Sequence, residues 1–402
     1  RRGRHRPPRM IELALIERQG VVTWEFGHAF SRRAIPASGR RAGRRAAVRE
    51  NVLFVDRSEP LGVNQIGKYL LDFDHNLNGD IDRLRGWNLR QWDNATEKLA
   101  VPVALSKPGP VLVIVHGTAS NCSHIIDELR AAPNGSGKKL MADAAKHYAA
   151  VLAFDHPTLA FSPMINALDL SKALEPYDDR AVDVICHSRG GLVSSWWMHL
   201  VDQRPRVKRC VFVGSPLQGT SLASPARLRA SLNLLATYGR LLSNLGQATG
   251  FLTLPFAILK VVSAAADITA RTPLLDAGLA MIPGLNAQSR VDNNTELSRL
   301  NARPFSAAGA PSRFFIQANF ESPDPGWRIW QYARPMRAAE AAVDLLVFTG
   351  KNDLVVDTES MIDTGGGPTH VFENPADGVH HTNYFRQEVT TTKVREWLGI
   401  PI

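Results

Sequence analysis

The chain has 402 residues, 44% hydrophobic and 21% charged, which suits a large buried core and excludes a disordered or fibrous composition. Its net charge of +9 is concentrated: residues 1–50 hold 13 arginines against four glutamates, which accounts for all of it. A neutral body behind an arginine-rich arm argues against a nucleic-acid-binding core, and three scattered cysteines (Cys122, Cys186, Cys210) argue against a disulfide or zinc framework.

Taken in chain order, the arm at 1–50 reads as a solvated leader, compatible with transient contact at an anionic membrane surface. Its first apolar run, Ile11 to Ile16, is short and contains Glu12, so it is not a secretory signal. Apolar, β-branched runs follow at Pro110–Val115, Ala150–Phe154, Ala181–Cys186, Arg209–Gly214, Ser312–Ala318 and Val343–Thr349. Near-continuous apolar strands imply burial on both faces, as in a parallel sheet covered by helices. Lys138–Ala149 and Arg189–Asp202 read as helices between them. The second spaces Val193, Trp196, Trp197 and Leu200 as one apolar stripe. This alternation predicts an α/β, mostly parallel, doubly wound sheet.

From about Leu217 to Ala310 the strands stop, and helical segments such as Leu228–Leu245 and Phe251–Ala266 take over. Pro255 and Lys260 break the second, leaving it too short to span a bilayer. The expected organisation is an arm at 1–50, a first part of the core at 51–216, an inserted helical cap at 217–310 and a second part of the core at 311–402. With buried thiols and no membrane span, a cytoplasmic location is expected.

The chemistry begins at Val184-Ile185-Cys186-His187-Ser188-Arg189-Gly190-Gly191. A buried strand ends there, an amphipathic helix starts, and Ser188 sits at the corner with small residues two positions either side. That is the context of a nucleophile elbow, with Cys186 replacing the first glycine of G-x-S-x-G. A serine that merely caps a helix is the plain alternative. A second turn, Val115-His116-Gly117-Thr118, follows another buried strand. The backbone N–H groups of Thr118 and Arg189 are assigned as an oxyanion hole. Asp353, in Gly350-Lys351-Asn352-Asp353-Leu354, is the expected orienting acid, with Asp344 and Asp357 as competitors. The general base is expected at His381 or its neighbour His380, with His381 preferred.

Together the HGT turn, the HSRGG elbow, GSPLQGTS at Gly214–Ser221, GKNDLVV and HHTNYF resemble lipase-type α/β hydrolases. The segment from Ile282-Pro283-Gly284 to Leu300-Asn301 is similar to the stretch that closes a lipase cap. The resemblance covers roughly residues 101–400. It implies the α/β-hydrolase fold and a serine esterase or lipase acting through Ser188, Asp353 and His381, with no cofactor or metal. The apolar cap suggests a hydrophobic acyl or lipid-like ester. A thioesterase, a phospholipase or a non-catalytic binding module on the same fold are the alternatives.

Three other patterns lie outside this set. Asp74-x-Asn76-x-Asn78-Gly79-Asp80-Ile81-Asp82 follows the start of a calcium loop, but Arg85 stands where a bidentate Glu belongs, so an Asx-rich turn is expected. Asn134–Lys139 lacks the first glycine and the Ser/Thr of a phosphate loop. Asp155-His156-Pro157 is a rival Asp/His pair that precedes Ser188 in the chain, and a structural role is expected for it.

Overall fold

The computed structural model describes residues 11–18, 21–26, 50–58, 61–77, 86–105, 107–202, 205–223, 254, 257–258, 260–261, 281–290, 294–302, 310–320, 351–374 and 377–401. The chain divides into two compact units: one of Arg1–Ile66, Leu228–Met281 and Asp324–Leu346, the other of Gly67–Arg227, Ile282–Pro323 and Val347–Ile402.

The first unit holds three antiparallel strands, β1 (Ile11–Arg18), β2 (Val21–Phe26) and β3 (Glu50–Ser58), in the order β2-β1-β3. Two of these strands lie inside the arginine-rich segment 1–50, where no regular element was expected. Arginine content sets charge, whereas the short β-branched and aromatic runs IELALIER and VVTWEF set backbone preference. Leu254, Ala257, Ile258 and Val261 are buried at helical spacing, within the helix expected at Phe251–Ala266.

The second unit is built on one eight-stranded sheet. In chain order the elements are α1 (Ile66–Leu77), β4 (Asn88–Asp93), β5 (Lys98–Ala100), β6 (Val111–Val115), α2 (Cys122–Arg130), α3 (Ser136–His147), β7 (Ala150–Asp155) and α4 (Pro163–Ala173). They continue with β8 (Val182–His187), α5 (Gly190–Trp196), β9 (Val207–Val213), α6 (Pro283–Asn286), α7 (Thr295–Asn301), β10 (Ser312–Ala318), β11 (Thr369–Phe372) and α8 (Glu388–Trp397). The sheet order is β11-β10-β9-β8-β6-β7-β4-β5; β4 pairs antiparallel with its neighbours, and the pairings from β7 to β11 are parallel. This is the α/β-hydrolase fold.

Strand side chains alternate between two cores. Val111, Val113 and Val115 join Leu152, Phe154, Val184 and Cys186 under Leu170, Val193, Trp196 and Trp197. Leu112 and Ile114 turn the other way, to Val151, Ile185 and Val211 beneath Ile125, Leu140, Met141 and Val394. Two-sided burial is why the strands read as continuous apolar runs.

Five expected strands are present within a residue or two of their predicted ends; the sixth, Val343–Thr349, lies outside the described residues, as does Leu228–Leu245. The helix expected over Arg189–Asp202 departs in its last turn. α5 gives way to a π-turn over Trp197–Val201, and Leu200 is exposed. The wider turn rotates Leu200 off the stripe that Val193, Trp196 and Trp197 share. Ile282–Asn301 groups with the sheet-bearing unit: Gly284 N–H donates to the carbonyl of Leu159, and Thr220 bridges to Ser289.

Candidate active site

Ser188 stands between β8 and α5 with φ +53°, in the left-handed region that a non-glycine residue occupies only under constraint. The constraint is visible. Ser188 N–H donates to the carbonyl of Val213 at 2.9 Å, and its own carbonyl accepts from Gly191 N–H at 2.9 Å. α5 also crosses β6 so closely that a Cβ on Gly190 would sit 2.4 Å from the carbonyl oxygen of Val115. Cys186, at the other flank, is buried, with its thiol donating to the carbonyl of Val211. A sulfur is therefore accommodated where the usual pattern has glycine.

Three loops from distant parts of the chain meet at the serine. Its Oγ lies 2.8 Å from His381 Nε2, and His381 Nδ1 lies 2.7 Å from Asp353 Oδ2. The same Asp353 oxygen accepts the Tyr384 hydroxyl at 2.8 Å, while Oδ1 accepts the N–H groups of Val355 and Val356 at 3.1 and 2.8 Å. Burial opposes ionisation of Asp353, but His381 and these hydrogen bonds outweigh it and hold its pKa below the ordinary carboxylate value. The main chains of the two loops are also joined, His381 N–H donating to the carbonyl of Asp353 at 3.0 Å.

His380 faces elsewhere. Its ring meets Thr382 through Nδ1 and stands edge-on to Phe320, and burial lowers its pKa to about 4. Asp357 takes the N–H and hydroxyl of Ser221, at 2.8 and 3.0 Å, and so holds the GSPLQGTS segment. Asp344 lies outside the described residues.

The turn after β6 lies against the serine. A Cβ on Gly117 would come within 2.6 Å of Ser188 Cβ, so only glycine fits there. Among the described residues, neither the Thr118 N–H nor the Arg189 N–H meets an acceptor. The Arg189 side chain is fully buried; Nη2 donates to the carbonyl of Phe161 and to Asn166 Oδ1, both at 2.6 Å, and burial brings its pKa down to about 9.

The remaining sequence motifs have structural partners. Asp74 lies on α1 with its carboxylate spent on Thr158, Leu159 and Ala160, which removes it from a calcium loop. Positions 78–85 of that motif lie outside the described residues. Asp155 pairs with Arg90 at 2.6 Å and accepts Cys122 N–H at 2.8 Å, and His156 stacks on His116 at 4.2 Å. Among the described residues, no group of three or more His, Cys, Asp or Glu is arranged to hold a metal ion, and no helix is long and apolar enough to cross a membrane.

Sequence reasoning left Tyr384 without a role, although it lies in the HHTNYF segment. It also missed His187, whose ring reaches the His381 main chain, and Gln288, whose amide reaches Thr118. Nothing in the spacing of these residues could have pointed to those contacts.

The sheet order, the corner at Ser188 and the close crossing of α5 over β6 at Gly190 are those of the α/β-hydrolase fold. Within that class, the chain belongs to the family described as Domain of unknown function (DUF7379), whose model matches residues 80–399. No curated protein matches it. Among solved structures, the mature form of the lipase BlEst2 from Bacillus licheniformis is 15% identical, covering 79% of this chain and 99% of that one at a TM-score of 0.44. An enol-lactonase from Burkholderia xenovorans LB400 is 12% identical, over 78% of this chain and 96% of its own, at 0.38. EstA from Clostridium botulinum is 12% identical, over 86% and 99%, at 0.36.

Proposed function

We propose that the protein is a serine hydrolase that cleaves a carboxylic ester through an acyl-enzyme. The observation that carries this reading is the unbroken hydrogen-bonded chain from Ser188 Oγ through His381 to Asp353, at 2.8 and 2.7 Å. In the proposed reaction Ser188 Oγ attacks the acyl carbonyl as His381 Nε2 takes its proton. The resulting imidazolium faces the Asp353 carboxylate, which stays ionised and keeps the ring turned toward the serine. The tetrahedral oxyanion is held by the N–H groups of Thr118 and Arg189, a contribution of about 3–4 kcal/mol for each donor. His381 then protonates the leaving alkoxide. Water, deprotonated by the same nitrogen, attacks the acyl-serine and releases the acid.

A hydrophobic acyl group is the preferred substrate, on the apolar composition of the insertion between Gly214 and Pro311. The test is labelling with a fluorophosphonate probe, together with hydrolysis of p-nitrophenyl acyl esters of increasing chain length. Wild type labels, Ser188→Ala does not, and kcat falls on the order of 10⁶-fold in the variant. Undiminished labelling of Ser188→Ala rules the reading out.

A further inference from the structure

The turn that carries the Thr118 N–H is fastened on three sides by buried groups that take no part in the chemistry. His116 Nδ1 donates to the carbonyl of Gly117 at 2.9 Å, and its Nε2 accepts the His156 N–H at 3.1 Å. The peptide joining Gly117 to Thr118 is planar and trans, so fixing its carbonyl turns its N–H the opposite way. The Thr118 hydroxyl donates to Gln288 Oε1 at 3.0 Å, and Gln288 Nε2 is itself spent on the carbonyl of Gly284 at 2.6 Å. The next peptide is held as well: Ala119 N–H donates to Thr158 Oγ1 at 3.1 Å, and Thr158 Oγ1 donates to Asp74 Oδ1 at 2.9 Å. Ala119 needs that anchor, because its φ of +49° lies in the left-handed region.

Every member of this network is buried. Asp74 accepts, besides the Thr158 hydroxyl, the N–H groups of Thr158, Leu159 and Ala160. Gly284 is packed so closely on the Thr158 segment that a Cβ there would overlap the Thr158 carbonyl. The α6 segment and the loop after β7 are therefore locked to each other and, through Gln288 and Thr158, to the turn. This connects three parts of the chain, around residues 74, 158 and 288, to one peptide N–H.

We infer that Gln288 and the Thr158–Asp74 pair are positioning residues that aim the Thr118 N–H at the oxyanion. The inference rests on the proposed hydrolase reading. Their hydrogen bonds go to the turn and its supports, and they restrict the rotation of the peptide that carries the donor. Such a role affects the transition state and not ground-state binding, because the donor is needed only where negative charge develops.

The test compares Thr158→Val, Thr158→Ser and Gln288→Met with wild type and Ser188→Ala, using hydrolysis of a p-nitrophenyl acyl ester and the affinity of an alkyl trifluoromethyl ketone. Thr158→Val and Gln288→Met are expected to lower kcat by about tenfold to a hundredfold with KM within twofold, since a 1 Å misplacement of a catalytic group costs on the order of a hundredfold. Affinity for the ketone, which forms a tetrahedral adduct, should fall by a similar factor. Thr158→Ser keeps the hydroxyl and recovers most of the loss. Thr158→Val removes a donor to a buried carboxylate; if it does not fold, Gln288→Met decides alone. Unchanged kcat and ketone affinity in a folded Gln288→Met, or a loss confined to KM or thermal stability, overturns the inference. Full activity in Ser188→Ala instead overturns the hydrolase reading and, with it, the reason for the network.

Discussion

His187 donates its Nε2 proton to the main-chain carbonyl of His381 at 2.8 Å, so the residue before Ser188 holds the backbone of the imidazole that faces Ser188. Their rings lie 4.9 Å apart, tilted, with Tyr384 and Phe385 closing round His187. Burial lowers the pKa of His187 to about 3, and the ring stays neutral with its proton on Nε2. The two faces of the site are thereby coupled. The serine corner presents the hydroxyl, and the neighbouring side chain fixes the loop that brings the His381 imidazole to it.

The two adjacent histidines are expected to separate cleanly. His381→Ala should lower kcat for ester hydrolysis on the order of 10⁴–10⁶-fold, whereas His380→Ala should stay within about tenfold of wild type, since only His381 meets both Ser188 and Asp353. Steady-state kinetics with one activated ester is sufficient. Equal losses in the two variants would place the base elsewhere.

Tyr384→Phe removes one donor from Asp353 Oδ2 while preserving the ring's packing. A hydrogen bond to a charged group contributes about 1.5–3 kcal/mol, so kcat should fall roughly tenfold to a hundredfold. The Asp353 pKa, now held below its ordinary value, should rise. The folded carboxylate contributes stability above its unfolded pKa and loses it as pH falls through the lower folded value. In the variant that loss is smaller and is complete at higher pH, because the folded value moves toward the unfolded one. An acid titration of stability that coincides with wild type would exclude this role.

Acid is expected to unfold the protein early. Burial lowers the pKa of His116 and His187 to about 3 and of His380 to about 4, and holds His156 well below its ordinary value. An unfolded histidine takes a proton near pH 6.5; these rings refuse it until far lower. The stability they contribute is complete above about pH 6.5 and falls as pH drops toward the folded values, by on the order of 2 kcal/mol per ring at pH 5. Urea unfolding at pH 7 and pH 5 measures this. The midpoint should fall steeply, and His187→Asn should flatten the fall. Identical midpoints at the two pH values would count against neutral buried rings.

The elbow's two flanks should respond differently to alanine. Cys186→Ala removes a buried sulfur that lies 3.9 Å from Cys210 Sγ, with an expected cost of about 1–2 kcal/mol in stability and activity largely kept. Gly190→Ala drives a methyl into the carbonyls of Val115 and His116, 2.4 and 2.7 Å away, and should cost at least about 3 kcal/mol or prevent folding. Thermal unfolding of the pair distinguishes them; a Gly190→Ala variant as stable as wild type would mean that α5 does not cross β6 this closely.

Much of the sheet was legible because both of its faces are covered. Burial on both sides demands unbroken apolar runs, and β6, β7, β8 and β9 announce themselves that way. Three strands escaped notice: the edge strands β5 and β11, and β4 beside β5. KLA and THVF are short and NLRQWD is mixed, since the two ends of the sheet are less fully covered than its centre. β1 and β2 were hidden behind the arginines that surround them.

The local geometry of the two turns was likewise legible in the sequence. A small-x-Ser-x-Gly corner between a buried strand and an amphipathic helix, and a His-Gly turn after another strand, are short-range patterns with short-range causes. Three matters depended on distance in space and not on distance along the chain. Which of His380 and His381 turns toward Ser188 is decided by main-chain bonds to Asp353 and by His187, from segments 28 and 194 residues away. Whether Asp74 binds a cation or anchors a loop is decided by where Thr158 comes to rest, 84 residues on. The contact between Gln288 and Thr118 spans 170 residues. Linear sequence specifies which groups are available; the packing of one loop on another decides which of them have a partner.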